Sequence, residues 1–143
     1  MRKQSYIFVI IIALAFVLIG FTIKTEYDNR CEERILVIRV HLNSLRDNIK
    51  HFFKQNGRYP NSLNEYLQYA QAQNQDKSQK IKLYVDLSSK ETSEIPEYRE
   101  LNDKGGYYYD PNNGVIRLNL TRPVKEYLKW YRGELKDEIP STW

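Results

Sequence analysis

Residues Ile35-Leu-Val-Ile-Arg-Val-His-Leu-Asn-Ser-Leu-Arg-Asp-Asn-Ile-Lys-His-Phe52 carry the pattern on which the fold turns. Ile35, Ile38, Leu42, Leu45, Ile49 and Phe52 recur at alternating steps of three and four, the spacing that lines side chains along one helical face. Arg39, Asn43, Arg46, Asp47 and Lys50 make up the opposite, polar face. Neither Gly nor Pro interrupts Thr25 to Asn56, and Gly57 supplies a left-handed stop. A seam this short makes a marginal coiled coil. The stripe is therefore expected to pack on a sheet.

Toward the N-terminus, Tyr6 to Ile23 (YIFVIIIALAFVLIGFTI) contains no charge. As a helix it spans roughly 27 Å, close to the hydrocarbon thickness of a bilayer. A chain of 143 residues has no interior large enough to surround so uniform an apolar cylinder. A cleavable signal peptide shares this layout but ends in small residues, whereas Gly20-Phe21-Thr22-Ile23-Lys24 offers no Ala-x-Ala pattern. Cys31 follows Asp28-Asn29-Arg30, which is no lipoprotein site. The segment reads as a retained signal anchor, with Arg2 and Lys3 holding the N-terminus in the cytoplasm. Residues 1–5 are then a cytoplasmic tail, 6–23 the transmembrane anchor and 24–143 an extracytoplasmic domain. Nothing breaks the pattern between Ile23 and Glu33, so the amphipathic helix continues the membrane helix, with Asn29 and Glu32 as the one restart point.

Toward the C-terminus, Tyr59-Pro60-Asn61-Ser62 turns the chain. Ser62 and Glu65 have capping-box spacing before a short helix whose apolar face is Leu63, Tyr66, Leu67 and Ala70. Gln71 to Lys80 reads as a mobile polar loop and Ile81 to Leu87 as a half-buried strand. Ser88 to Asp103 is polar, broken by Ile95-Pro96. Tyr107–Tyr109 and Val115–Leu120 flank Asp110-Pro111-Asn112-Asn113-Gly114, the chemistry of a hairpin turn. A last helix begins at Pro123, buries Val124, Tyr127, Leu128, Tyr131 and Leu135, and stops before Pro140. The expected class is α+β: a transmembrane helix continuing into a long amphipathic helix, packed on a small antiparallel sheet, with a C-terminal helix added.

A net charge of +4, from 22 basic and 18 acidic residues, is too small for a nucleic-acid protein. The lone Cys31 excludes an internal disulfide and multi-cysteine metal sites, and no histidine stands in phase to activate it. His41 and His51 lie ten residues apart on one helix, about 15 Å along its axis, and cannot share a metal. Asp110, Asn112, Asn113 and Gly114 imitate a calcium loop, but Thr121 occupies the place of its bidentate acid. No phosphate loop, nucleophile elbow or metalloprotease helix is present. No enzymatic activity, cofactor, metal or small-molecule substrate is expected. The 12 tyrosines remain. Tyr107, Tyr108 and Tyr109 with Tyr127 and Trp130 form a candidate contact surface, Trp130 standing half-exposed at the edge of the last helix. The competing reading is that they cover a thin sheet.

The order of elements resembles type IV pilins and type II secretion pseudopilins. Phe53-Lys-Gln-Asn-Gly-Arg-Tyr-Pro-Asn-Ser-Leu63 is similar to the stretch of the major pseudopilin where the long helix ends in a G-R-Y-P turn. Gly106-Tyr-Tyr-Tyr-Asp-Pro-Asn-Asn-Gly-Val115 resembles the aromatic strand and turn of pilin-like proteins. The chain departs from that pattern at its start. A prepilin cleavage site, G-F-T-L-x-E, precedes the apolar stretch, whereas Gly20-Phe21-Thr22-Ile23 follows it and Glu26 stands one place late. The major pseudopilin's calcium loop has no counterpart, and the last helix is additional. The resemblance implies a pilin-like accessory or assembly subunit that keeps its anchor. It would sit in the bacterial inner membrane, its C-terminal domain periplasmic or extracellular, touching other pilin-like or secretion and pilus assembly proteins. An unrelated membrane-anchored envelope adaptor or ligand-binding module is the alternative. Intact-mass measurement on membrane-extracted protein is expected to include residues 1–23; a chain beginning at Phe21 or Lys24 overturns the retained anchor.

Overall fold

The computed structural model describes residues 2–73, 83–84, 87, 91–92 and 95–143, with side chains for residues 10–73, 87 and 95–143. Helix α1 (Arg2–Asn56) runs for 55 residues without interruption, about 80 Å at 1.5 Å per residue. The restart point at Asn29 is not used. Its C-terminal half carries the core: Ile35, Ile38, Leu42, Leu45, Ile49 and Phe52 are all buried, and Cys31 extends the line by one step. The apolar window near the N-terminus is long enough to cross a membrane and has none of its residues buried.

Gly57 ends α1 at φ +70°, its amide donating to the Phe53 carbonyl at 2.9 Å. Helix α2 (Leu63–Gln73) follows, with the Ser62 hydroxyl accepting from the Glu65 amide at 3.0 Å. The reciprocal bond shifts by one residue, since Glu65 takes the Asn61 amide at 2.6 Å. Leu63, Tyr66 and Leu67 are buried. Phe52 and Tyr69 meet edge to face at 4.8 Å, seating α2 on the end of α1. The predicted loop begins later than expected, because Gln71–Gln73 are helical, and its remainder lies outside the described residues. Of the strand predicted at Ile81–Leu87, Leu83–Tyr84 form β1, paired antiparallel with β2 (Glu91–Thr92), and Leu87 is buried; the rest lies outside the described residues.

The main sheet has three strands in the order β3 (Glu97–Tyr98), β4 (Tyr107–Asp110), β5 (Val115–Leu118). The hairpin is as the turn chemistry predicts: Tyr107 pairs with Leu118 and Asp110 with Val115, and the Gly114 amide closes on the Asp110 carbonyl at 2.8 Å. The antiparallel expectation fails at β3, which is parallel to β4. Buried Ile95 and the Pro96 carbonyl, which accepts from the Tyr107 amide at 2.9 Å, bring that strand in from the side.

The expected C-terminal helix is also corrected. Only Val124–Tyr127 are helical (α3), followed by two 3-10 turns at Glu134–Asp137 and Pro140–Thr142. The cause is tertiary. Buried Tyr131 turns its hydroxyl to Glu32 of α1 at 2.9 Å, and a Cβ on Gly133 would overlap both Glu32 and Tyr131. The chain lies flat on α1 there instead of coiling above it.

Arg46 does not keep to the polar face. Its guanidinium donates to the Ile116 carbonyl at 3.0 and 3.2 Å and to the Trp143 carbonyl, tying α1 to β5 and to the end of the chain. Burial, with the Arg117 charge behind it, draws Arg46 below the ordinary guanidinium range. Thermal unfolding of the full chain in detergent is expected to lose about 2–5 kcal/mol for Ile49→Ala. Arg46→Ala should cost about 1–2 kcal/mol, since charged hydrogen bonds at a part-exposed site are worth less than buried ones. Neither change having an effect would place the seam outside the core.

Candidate functional site

The five aromatic side chains singled out from the sequence do not form one surface. Tyr107 and Tyr109 point into the core, 1% and 0% exposed. The Tyr109 hydroxyl donates to the Pro60 carbonyl at 2.7 Å, and burial pushes Tyr107 up to about 12. Those two residues are core, as the competing reading has it. Tyr108, between them, is half-buried and stands opposite Arg117.

Tyr127 belongs to a polar clasp that joins two turns. The Asp103 carboxylate accepts from the Tyr127 hydroxyl, from the Thr121 amide at 2.9 Å and from Arg122 Nε at 2.5 Å. Asp103 itself sits at φ +63°. Beside it, fully buried Asn119 accepts from the amides of Asn102 and Asp103 and donates to the Asn102 side chain and the Gly105 carbonyl. A polar residue at the end of an apolar strand is the signal that could have marked it. Trp130 alone is freely exposed, at 77%. It stands on the loop between α3 and the first 3-10 turn, beside Gly20 and Ile23 of the apolar segment.

Two further surfaces were not anticipated. A groove of about 540 Å³ between α1 and the hairpin turn is lined by Arg46, Lys50, Tyr59 and Arg117. On α1, Leu36, Val37 and Val40 are 53%, 38% and 65% exposed, on the side away from the core line. Their signal was in the sequence as apolar residues standing outside the main stripe. Cys31 is buried, and no group of three or more His, Cys, Asp or Glu side chains among the described residues could hold a metal ion.

Compared with known proteins, the chain matches no protein-family model, no curated protein and no solved structure.

The clasp gives a pH prediction. Desolvation pushes Asp103 up, but the bonds from Tyr127, Thr121 and Arg122 together outweigh it and hold the carboxyl below its ordinary value of 3.8. A depressed carboxyl stabilises the fold fully above that ordinary value and progressively less as acid protonates it through its lower folded value. Asp103→Asn is expected to lower the melting temperature at neutral pH and to flatten its fall below about pH 4, read by circular dichroism. A variant as acid-sensitive as the parent would remove the clasp from the account.

Proposed function

We propose that this chain is a membrane-anchored, non-enzymatic, pilin-like accessory or assembly subunit of a type IV pilus or type II secretion system. It is held in the bacterial inner membrane with its N-terminus cytoplasmic and its domain outside, and it acts by protein–protein contact. One observation carries the reading. A single unbroken helix links the apolar segment to a small domain and leaves Leu36, Val37 and Val40 exposed on it, about 20–26 Å beyond Ile23 at 1.5 Å per residue. An apolar line on a rigid helix is what helix-to-helix association between neighbouring subunits uses. The G-R-Y-P turn after α1 and the aromatic hairpin support the family reading. An unrelated envelope adaptor is the second reading, favoured by the groove with Arg46, Lys50 and Arg117, which suits an anionic ligand.

Pull-down of detergent-solubilised full-length protein is expected to recover pilin-like or secretion-assembly proteins. Val40→Asp should weaken that recovery tenfold or more, about 1.4 kcal/mol, without changing thermal unfolding. Recovery unchanged by Val40→Asp overturns the contact line, and recovery of no assembly protein overturns the family role.

A further inference from the structure

The core line of α1 does not stop at Cys31. Continued toward the N-terminus at steps of three and four, it reaches Tyr27, then both Lys24 and Ile23 as three- and four-residue steps from Tyr27, and then Gly20. Trp130 lies on this continuation, sharing a depression of about 530 Å³ with those four residues and Arg132. Gly20 and Ile23 belong to the uncharged segment. Gly20 lies about 4.5 Å inside its outer end, at 1.5 Å per residue. With that segment in hydrocarbon, the indole stands at the level of the bilayer boundary.

The backbone that carries the indole is also held there. Tyr131 beside it is buried and bonded to Glu32, the Arg132 amide donates to Asp28 at 3.0 Å, and Gly133 is pressed on α1. Trp130 is nonetheless more exposed than Phe16 or Phe21 of the apolar segment, at 77% against 71% for each. A bare indole on a loop tied to α1 and flanked by cations has one suitable environment at that height. Tryptophan concentrates at membrane interfaces because its ring is apolar and its N–H polar. Lys24 and Arg132 line the same depression as the indole, and Lys129 precedes it in the chain. All three are exposed, Arg132 giving one guanidinium nitrogen to the Lys129 and Tyr131 carbonyls, and cations so placed suit headgroup phosphates.

We propose that the loop Lys129–Arg132 is a second foothold on the membrane. Trp130 enters the boundary between headgroups and hydrocarbon, while Lys24, Lys129 and Arg132 take lipid phosphates. The occupant of the depression is lipid, not a protein partner, and the foothold fixes how α1 is rotated about its axis. This rests on α1 being a membrane anchor, and the test separates the two.

The full-length protein is reconstituted in phosphatidylcholine–phosphatidylglycerol vesicles whose acyl chains carry bromine near the headgroup, which quenches tryptophan on contact. Of the 2 tryptophans, Trp143 packs 4.4 Å from Arg39 and serves as the internal reference. Arg39 lies roughly 24 Å beyond Ile23 along α1, at 1.5 Å per residue, out of reach of the lipid. Wild type is expected to lose the Trp130 share of its emission, and Trp130→Phe, at an exposed site, to leave an unquenched remainder. Phe16→Trp added to Trp130→Phe reports the anchor itself and should be quenched more strongly by bromine deep in the chains. A quenched Phe16→Trp with an unquenched Trp130 overturns the foothold and leaves the anchor standing. Blue-shifted but unquenched Trp130 emission means protein covers it, and also overturns the foothold. Quenching at neither position overturns the anchor and the foothold together.

Discussion

The small C-terminal domain has almost no independent means of staying folded, and the reason is the size of its parts. The strands of its main sheet are two to four residues long and its last α-helix is four. Such pieces do not hold together in water without a larger apolar partner. That partner is the line on α1 from Cys31 to Phe52, every member of which is buried. Tyr107, Tyr109, Ile116 and Leu118 of the hairpin, Leu63 and Leu67 of α2, and Val124 and Tyr131 near the C-terminus share one cluster with it. The helix that carries the apolar segment and the backbone of the domain core are thus one object.

Polar side chains on α1 complete the attachment. Glu32, Arg39 and Arg46 stand at heptad spacing on the flank of the seam. Glu32 takes the Tyr131 hydroxyl and the Glu134 amide, Arg39 pairs with Glu138 under the Trp143 ring, and Arg46 takes the carbonyls of Ile116 and Trp143. The C-terminal segment is laid along the helix by these three contacts, toward the apolar segment at its Trp130 end. Rigid continuity then has a geometric consequence. Under the proposal that α1 spans a bilayer, whatever fixes its rotation also fixes the domain, and the proposed lipid foothold on the seam side directs Leu36, Val37 and Val40 away from it. The face proposed for subunit contact and the face proposed for lipid are on opposite sides of one helix, so they do not compete.

Much of this was legible from short-range patterns, because those features depend on neighbours in the chain. The three-and-four spacing from Ile35 to Phe52 marks the buried face whatever it packs against, and Gly57 stops a helix through its own φ. Ser62 caps α2 through a bond three residues long, and Asp110 to Gly114 turn the hairpin by local hydrogen bonds. Features that join distant parts of the chain were not legible. Arg46 reads as a solvated cation until β5 brings the Ile116 carbonyl beneath it. Val124 to Leu135 keep helical spacing, yet Tyr131 and Gly133 leave the helix because α1 offers Glu32 as a partner. Tyr107 and Tyr109 alternate with Tyr108 by the pleat of a strand, but which side faces the core is set by where α1 lies. Sequence alone therefore determined the helix, its seam, its stop and the hairpin, through spacing and backbone preference. Tertiary structure decided the parallel strand, the broken C-terminal helix and the place of Trp130 beside the apolar segment, because each depends on a contact between residues far apart in the chain.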